Sequence, residues 1–273
     1  MFAGTDLAAL ETRGFLELTL SPATRELIAQ IYDLGRAFFR LPLDQKLRDS
    51  LQPTEFGYRP VGVEYSQSPD RSDPMESFST SIRTRELSER LRSDEAIRLQ
   101  RHLIEVIEPL EGIAEGLLST IAETLGGALV LGSCRRWSSI QLNYSRPSRV
   151  TGPFIHERHE DGHALTLATA TGPGLELERE DGSYLQIDSH SDRIIVMPGE
   201  ILWLLSGGRI RPLYHRVISS VGLDERMALL FFADPDPTSC SPWISTDTNA
   251  GIDIGARVLT NGERYGLAGF EPD

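Results

Sequence analysis

The chain has 273 residues, 40% of them hydrophobic and 25% charged, which is typical of a soluble globular protein. Its net charge of −13 argues against a nucleic-acid partner, because such a partner requires a basic face. No run of about 18 apolar residues is present, so we expect no membrane span. We also expect no secretory signal, and two reduced cysteines, Cys134 and Cys240, in a cytoplasmic protein.

The first part of the chain is predicted to be helical. Ser21 and Pro22 are typical of a helix start, and apolar residues follow them at helical spacing. A long amphipathic helix is predicted over residues 94–125, with a kink or a break at Pro109. Residues 51–81 are rich in Pro, Gly, Ser and Asp, and this composition predicts an irregular segment.

Beyond residue 127 the pattern changes to short apolar runs bounded by turn residues, which predict strands. The predicted strands cover residues 139–144, 164–168, 175–178, 194–197, 201–205 and 227–233. Helices followed by many short strands favour an α+β fold, in which a helical layer supports a β-sandwich or jelly roll. We divide the chain into a helical and irregular region (1–125), a β core (126–240) and a C-terminal tail (241–273), within one structural unit.

Three of the six histidines lie within eight positions around Asp161, namely His156, His159 and His163. On an extended strand, residues two apart point the same way, so His159 and Asp161 can reach one ion. A third ligand from a distant strand would complete a facial triad and leave three coordination positions open. A His-x-Asp pattern also occurs in solvated turns, so this spacing alone does not establish a metal site.

The surrounding sequence carries a series of further motifs. HEDGHALTL at 159–167 is followed by GLEL at 174–177, IVMPGE at 195–200, LSGG at 205–208 and YHRV at 214–217. RGF, FFRLP, GYRP and ESF begin at residues 13, 38, 57 and 76. In this order, and over nearly the whole chain, the motifs resemble the isopenicillin N synthase-like family of oxygenases. The resemblance implies a distorted double-stranded β-helix (jelly roll), with an N-terminal helical region packed on it. It also implies iron(II) as the metal, with 2-oxoglutarate and dioxygen as cosubstrates.

The resemblance implies His159, Asp161 and His215 as the iron ligands and leaves His156 and His163 outside the ligand set. It also implies Arg226, eleven residues after His215, as the partner of the distal carboxylate of 2-oxoglutarate. A buried carboxylate of this kind needs a fixed partner, which the planar fork of an arginine provides. A surface ion pair between Arg226 and Glu225 or Asp224 is the alternative.

Two positions of the cosubstrate site depart from the family pattern. Ala228 stands where the family has a serine, so one hydroxyl donor to the distal carboxylate of 2-oxoglutarate is missing. If no other donor replaces it, the binding free energy of the cosubstrate falls by about 1–3 kcal/mol. Ser145 stands where the family has the second tyrosine of an Asn-Tyr-Tyr strand. Asn143 and Tyr144 therefore remain as cosubstrate contacts, although Tyr144 is equally consistent with a buried strand aromatic.

Substrate contacts are predicted from the regions that carry them in the family. The candidates are Tyr58, Arg83, Arg135, Gln141 and Phe232. The predicted function is oxidation, most simply hydroxylation, of a small metabolite in specialised metabolism or amino-acid modification. Two alternatives stay open: a family oxidase that does not use 2-oxoglutarate, and a jelly-roll binding protein that has lost turnover.

Overall fold

The computed structural model describes residues 4–51, 56–128, 134–188, 190–219 and 222–265. The helices are α1 (Gly4–Arg13), α2 (Pro22–Phe39), α3 (Leu43–Lys46), α4 (Asp94–Thr124), α5 (Cys134–Trp137), α6 (Glu200–Leu205) and α7 (Ile254–Thr260). The strands are β1 (Leu16–Thr19), β2 (Gly57–Arg59), β3 (Met75–Ser81), β4 (Ser139–Ser145), β5 (Phe154–His159), β6 (Leu165–Ala170), β7 (Leu175–Glu178), β8 (Tyr184–Gln186), β9 (Arg193–Pro198), β10 (His215–Ile218) and β11 (Arg226–Ala233). None of the helices within these ranges combines the length and the apolar composition that crossing a bilayer requires.

The strands form two antiparallel sheets. The larger sheet has seven strands in the order β1-β9-β6-β11-β4-β3-β2, and the smaller sheet has four in the order β5-β10-β7-β8. Consecutive residues of a strand point to opposite faces, so each strand of the larger sheet presents one face to the smaller sheet and one to the helices. This two-sheet arrangement is the jelly roll that the sequence predicts.

The helical layer covers the outer face of the larger sheet. α2 starts as predicted, with the Ser21 hydroxyl accepting a hydrogen bond from the Thr24 amide (3.1 Å) and with Pro22 in the first turn. Gly35 allows α2 to approach β4, because a Cβ there would lie 2.3 Å from Leu142. α4 buries one side of its whole length, including Leu103 and Leu110. Each fully buried side chain of this size stabilises the fold by roughly 1.5–3 kcal/mol.

The structure changes two predictions about helices. Of the two outcomes predicted at Pro109, the break is not formed, because α4 continues across that residue, and the kink stays a prediction. Proline removes a single backbone donor there, and the buried apolar stripe on both sides holds the helix together. Residues 201–205, predicted as a strand, belong to the helix α6. A short apolar run cannot be assigned to strand or helix from its periodicity, and here four of its five residues are buried.

The N-terminal region is also more regular than predicted. Residues 75–81, predicted to be irregular, form β3, which pairs with β4 along its whole length. β1 pairs with β9, so the region before residue 125 completes the larger sheet at both of its edges. The C-terminal tail contains α7 and the helical turn Asn261–Tyr265. The division of the chain at residues 125 and 240 stays a prediction.

Candidate active site

The predicted metal ligands are brought together by the pairing of two strands in the smaller sheet. His159 is the last residue of β5, His215 is the first of β10, and the two are paired in register. Their ring centroids are 4.3 Å apart. Asp161 lies in the turn that follows β5, and its Oδ1 is 3.5 Å from His159 Nε2 and 3.6 Å from His215 Nε2. The three candidate ligand atoms lie within 4.8 Å of one another.

Backbone contacts orient both imidazoles for metal binding. His159 Nδ1 lies 2.7 Å from the Glu157 carbonyl, and His215 Nδ1 lies 3.3 Å from the Leu213 carbonyl. A proton on Nδ1 satisfies these carbonyls and leaves the lone pair on Nε2, which faces the cluster. The two Nε2 atoms and one carboxylate oxygen form a two-histidine, one-carboxylate donor set.

The charges of the cluster also fit a divalent cation. Burial opposes ionisation of Asp161, but His215 and His159 outweigh it and hold the pKa of the carboxyl well below its usual range. Burial lowers the pKa of His215 to about 4, so this imidazole is neutral at physiological pH. An anionic Asp161 and a neutral His215 are ready for a metal, whereas burial opposes protonation of His159 but Asp161 outweighs it and raises the pKa of His159, so a proton on His159 has to leave when a metal binds.

Two cavities between the sheets meet at this cluster. The first, named here the Arg226 cavity, is lined by Arg226, by small or apolar residues that include Ala168, Ile195, Met197 and Ala228, and by the charged residues Glu17, Asp188 and Arg193. The second, the Gln141 cavity, is lined by residues that include Arg59, Glu64, Gln141, Phe232, Asn261 and Tyr265. Asn143, His159 and Asp161 line both cavities. A ligand in either cavity therefore lies next to the candidate metal ligands.

Arg226 is a buried arginine without a carboxylate partner in the described residues. It is 5% exposed, and its Nε donates to the Pro173 carbonyl at 2.9 Å. Burial lowers the pKa of its guanidinium to about 10. The surface ion pair considered as an alternative is not formed, because Glu225 pairs with Arg36 (2.5 Å) and Arg40 (3.1 Å) on the helical side. A buried cation with free donors is suited to the carboxylate of a ligand.

Comparison with known proteins places these features in a family. Residues 7–97 match a family described as the non-haem dioxygenase in morphine synthesis N-terminal region. Residues 136–235, which contain the three candidate ligands and Arg226, match the 2OG-Fe(II) oxygenase superfamily. The chain belongs to the 2OG-Fe(II) oxygenase superfamily. This membership confirms the predicted enzyme class, an iron(II)- and 2-oxoglutarate-dependent dioxygenase.

Individual relatives support the same family. Jasmonate-induced oxygenase 4 of Arabidopsis thaliana is 28% identical over 243 residues, which cover 84% of this chain and 67% of the relative. The proline hydroxylase buaE of Petromyces alliaceus is 28% identical over 254 residues, covering 84% and 79%. A full-length Neurospora crassa protein solved in complex with alpha-KG superposes with a TM-score of 0.77 at 17% identity, covering 94% of this chain and 88% of that one. This last likeness confirms the jelly-roll fold.

The Gln141 cavity of the oxygenase has one polar wall. Arg59, which is 2% exposed, donates from Nε to Glu64 (2.8 Å) and from Nη1 to Ser79 (2.9 Å). Gln141 accepts from Arg59 Nη2 (2.5 Å) and donates to Glu64 (3.0 Å) and Asn143 (2.7 Å). These residues come from β2, β3, β4 and the loop before β3. The wall is thus a continuous hydrogen-bonded network beside the metal cluster.

Strand alternation decides which predicted contacts face the cavities. Gln141 and Asn143 on β4 and Phe232 on β11 point between the sheets and line the cavities. The structure corrects two predictions: Tyr144 points to the helices, where it stacks on Phe39 (4.9 Å), and Tyr58 packs edge-on against Phe38. Neither reaches a cavity. Both tyrosines lie on the outer face of the larger sheet, so a buried strand aromatic is the right description of Tyr144.

One of the two predicted arginine contacts, Arg83, does not line either cavity. Arg83 stacks on the Trp137 ring, with the guanidinium carbon 4.2 Å from its centroid. This contact between a cation and an aromatic face explains its position after β3. The side chain of Arg135 lies outside the described residues.

The two remaining histidines near the cluster have separate roles. His156 lines both cavities, and its Nδ1 is 3.0 Å from Asp73 Oδ2, which ties the loop before β3 to β5. His163 lies with Nδ1 2.5 Å from Asp234 Oδ2 and Nε2 3.1 Å from Asn261 Nδ2. With both nitrogens engaged, His163 has no lone pair left for a metal.

Sequence reasoning missed several residues of the site. Arg59 lies inside the Gly-Tyr-Arg-Pro motif, so its position was marked, but its partner Glu64 depends on how the following loop folds back. Asp73 pairs with His156 over 83 positions of sequence separation. Asn261 and Tyr265 come from the tail that carried no predicted structure. No local pattern identifies these contacts, because Arg59 and Glu64 meet only through the fold of the loop between them, and the other contacts join distant segments.

Proposed function

We propose that this oxygenase holds iron(II) through His159, Asp161 and His215, binds 2-oxoglutarate against Arg226, and oxidises a compact polar metabolite in the Gln141 cavity. The observation that carries the proposal is the meeting of the two cavities at the candidate metal ligands: His159 and Asp161 line both cavities, and His215 lines the Arg226 cavity. One cavity has a buried cation for a dicarboxylate, and the other has a polar wall for a second molecule. Two ligands can thus reach one metal from different sides.

The protein's part in the reaction is to hold and orient its ligands. Iron(II) with 2-oxoglutarate and dioxygen supplies the oxidation of a C–H bond, and the cosubstrate is released as succinate and carbon dioxide. Arg226 would hold the distal carboxylate of 2-oxoglutarate in the cavity that His159, Asp161 and His215 also line, and these three residues would hold the iron. Ile195, Met197 and Leu230 cover the cosubstrate with apolar surface and exclude water from it.

The walls of the Gln141 cavity indicate the chemical class of the substrate. Arg59, Glu64 and Gln141 form a polar, hydrogen-bonded surface on one side, whereas Leu230 and Phe232 form an apolar surface on the other. A compact molecule with polar groups along one edge satisfies both walls, and a long hydrocarbon chain does not. Hydroxylation of a compact polar molecule agrees with one of the relatives, the proline hydroxylase buaE. The cytoplasmic location stays a prediction.

Oxygen consumption tests the function directly. With purified protein, iron(II) and a panel of small polar metabolites, we expect oxygen uptake that requires 2-oxoglutarate and succinate release that a substrate stimulates. Uptake that proceeds equally without 2-oxoglutarate would establish the oxidase alternative. Absence of both uptake and succinate, in protein that binds iron and 2-oxoglutarate, would establish the binding-protein alternative.

We expect oxygenation and not halogenation as the outcome of the reaction. A halide has to bind the metal directly, and Asp161 is placed to occupy the coordination position that it would need. Glu160 cannot take over, because it is buried and paired with Arg264 (2.7 Å) on the opposite side. Mass spectrometry of products formed in excess chloride or bromide checks this expectation. A halogenated main product would contradict both the prediction and the assignment of Asp161 as a ligand.

A further inference from the structure

The segment 254–265, formed by α7 and the turn Asn261–Tyr265, packs on the loop that carries Asp161. Asn261 is 4% exposed, and its Nδ2 donates to the Asp161 carbonyl at 3.3 Å. The Tyr265 hydroxyl donates to the Glu160 carbonyl. Arg264 pairs with the Glu160 carboxylate (2.7 Å) and with Glu200 (2.7 Å). Three residues of one short turn therefore bind the backbone and side chains around a candidate metal ligand.

The two backbone carbonyls belong to the peptide groups on either side of Asp161. The Glu160 carbonyl is in the peptide group before Asp161, and the Asp161 carbonyl is in the one after it. Peptide groups are planar, so the only soft backbone torsions between these two groups are φ and ψ of Asp161. Hydrogen bonds that fix both planes also fix the direction in which the Asp161 side chain leaves the backbone.

Asn261 is itself held firmly. Its Nδ2 also lies 3.1 Å from His163 Nε2, and His163 is bound through Nδ1 to Asp234 at the end of β11. On its other side Asn261 packs on Gly162, which has a φ of +71°, and a Cβ there would lie 2.1 Å from Asn261 Oδ1. The Asn261 amide thus connects the Asp161 loop to the larger sheet through His163 and Asp234.

We propose that Asn261 and Tyr265 are positioning residues, which set the Asp161 carboxylate in the place where it completes the metal site with His159 and His215. The proposal rests on the ligand assignment made under the proposed function. The same two residues line the Gln141 cavity, so a substrate there packs against the turn that holds the carboxylate ligand. Substrate recognition and metal geometry consequently share one short segment.

Metal binding by the whole chain tests the proposal. Tyr265→Phe keeps the ring and removes only the donor to Glu160, and Asn261→Ala removes the donor to Asp161. In anaerobic titrations with Co(II) alone, we expect the double variant to bind at least about tenfold more weakly, as loss of residues that orient metal ligands usually causes. The visible spectrum of bound Co(II) should also change, because the carboxylate moves. Thr260→Ala is the matched control, since its hydroxyl donates to the Ala256 carbonyl within α7.

A purely structural role gives a different result. In that case the double variant melts at a lower temperature without metal, but its Co(II) affinity and spectrum equal those of the parent. That outcome would overturn the proposal while leaving the ligand assignment intact. A parent protein that binds no Co(II) would overturn the ligand assignment itself, and this proposal with it.

Discussion

His215→Ala is expected to weaken iron(II) binding by more than about 100-fold, the upper end of what losing a residue that merely orients a ligand costs. His215 lies at the start of β10 with Nε2 facing Asp161, and its removal leaves only two of the three predicted protein ligands. The loss should appear in anaerobic equilibrium binding and in the iron content of purified protein.

A second histidine variant separates this effect from a general loss of structure. His102→Ala changes a side chain on α4 whose Nδ1 contacts the Arg98 carbonyl of its own helix, and we expect iron affinity to be unchanged. The melting temperature of metal-free His215→Ala reports whether the variant is folded; burial lowers the pKa of His215 to about 4, so near pH 7 the imidazole is neutral in the folded and the unfolded protein, and its removal takes away no buried charge. Iron affinity in His215→Ala within about threefold of the parent would remove His215 from the ligand set.

The helices and strands in which apolar residues recur at a regular spacing could be predicted from the sequence. α2 and α4 each keep an apolar stripe on the sheet, and most core strands alternate or run apolar between turn residues. β3 escaped prediction because its inner residues, Ser77 and Ser79, are polar and face the cavity network instead of a dry core. Because β3 forms a wall of the cavity, its inward residues are polar, and the alternation of apolar and polar residues that normally identifies a half-buried strand is absent.

The candidate site could be predicted only in part, because some of its residues lie in motifs whereas the position of others depends on strand register. The metal ligands and Arg226 lie in motifs, so their identity could be predicted without knowing the fold. The face on which Tyr144 lies depends on the register of β4 against β11, where Asn143 is opposite Ala228 and Tyr144 opposite Met227. A shift by one residue exchanges the two faces, and the sequence alone does not set that register.

Arg226→Met is expected to weaken 2-oxoglutarate binding by about two orders of magnitude or more. Burying a carboxylate without its partner costs roughly 3–5 kcal/mol, and every 1.4 kcal/mol corresponds to a factor of ten. Methionine keeps much of the volume and removes the charge. Calorimetric titration of the Co(II) form with 2-oxoglutarate measures the effect, and Arg216→Met is the control, because Arg216 pairs outside the cavity with Glu176 (2.6 Å).

The same variant should leave the ligand-free protein at least as stable as the parent. Burial lowers the pKa of Arg226 below its unfolded value, so the protonated guanidinium costs stability in the folded state throughout the physiological pH range. Removing an unpaired buried charge therefore offsets the lost contact with Pro173. Added 2-oxoglutarate should raise the melting temperature of the parent and not that of Arg226→Met. A normal affinity in Arg226→Met would show that another residue binds the distal carboxylate.

Ala228→Ser should act in the opposite direction and only when Arg226 is present. Ala228 lies two residues after Arg226 on the same face of β11, and its partners across the sheet are Ala170 and Asn143. Ala170 supplies no hydroxyl, so a serine adds a donor, and a gain of about 1 kcal/mol tightens 2-oxoglutarate binding about fivefold. In the Arg226→Met background the carboxylate is no longer held beside residue 228, and the serine should have no effect.

Equal tightening of 2-oxoglutarate binding in both backgrounds would mean that the hydroxyl acts elsewhere, since the effects of neighbours that share one ligand group are not additive. No tightening in the parent would mean that another donor already replaces the family serine.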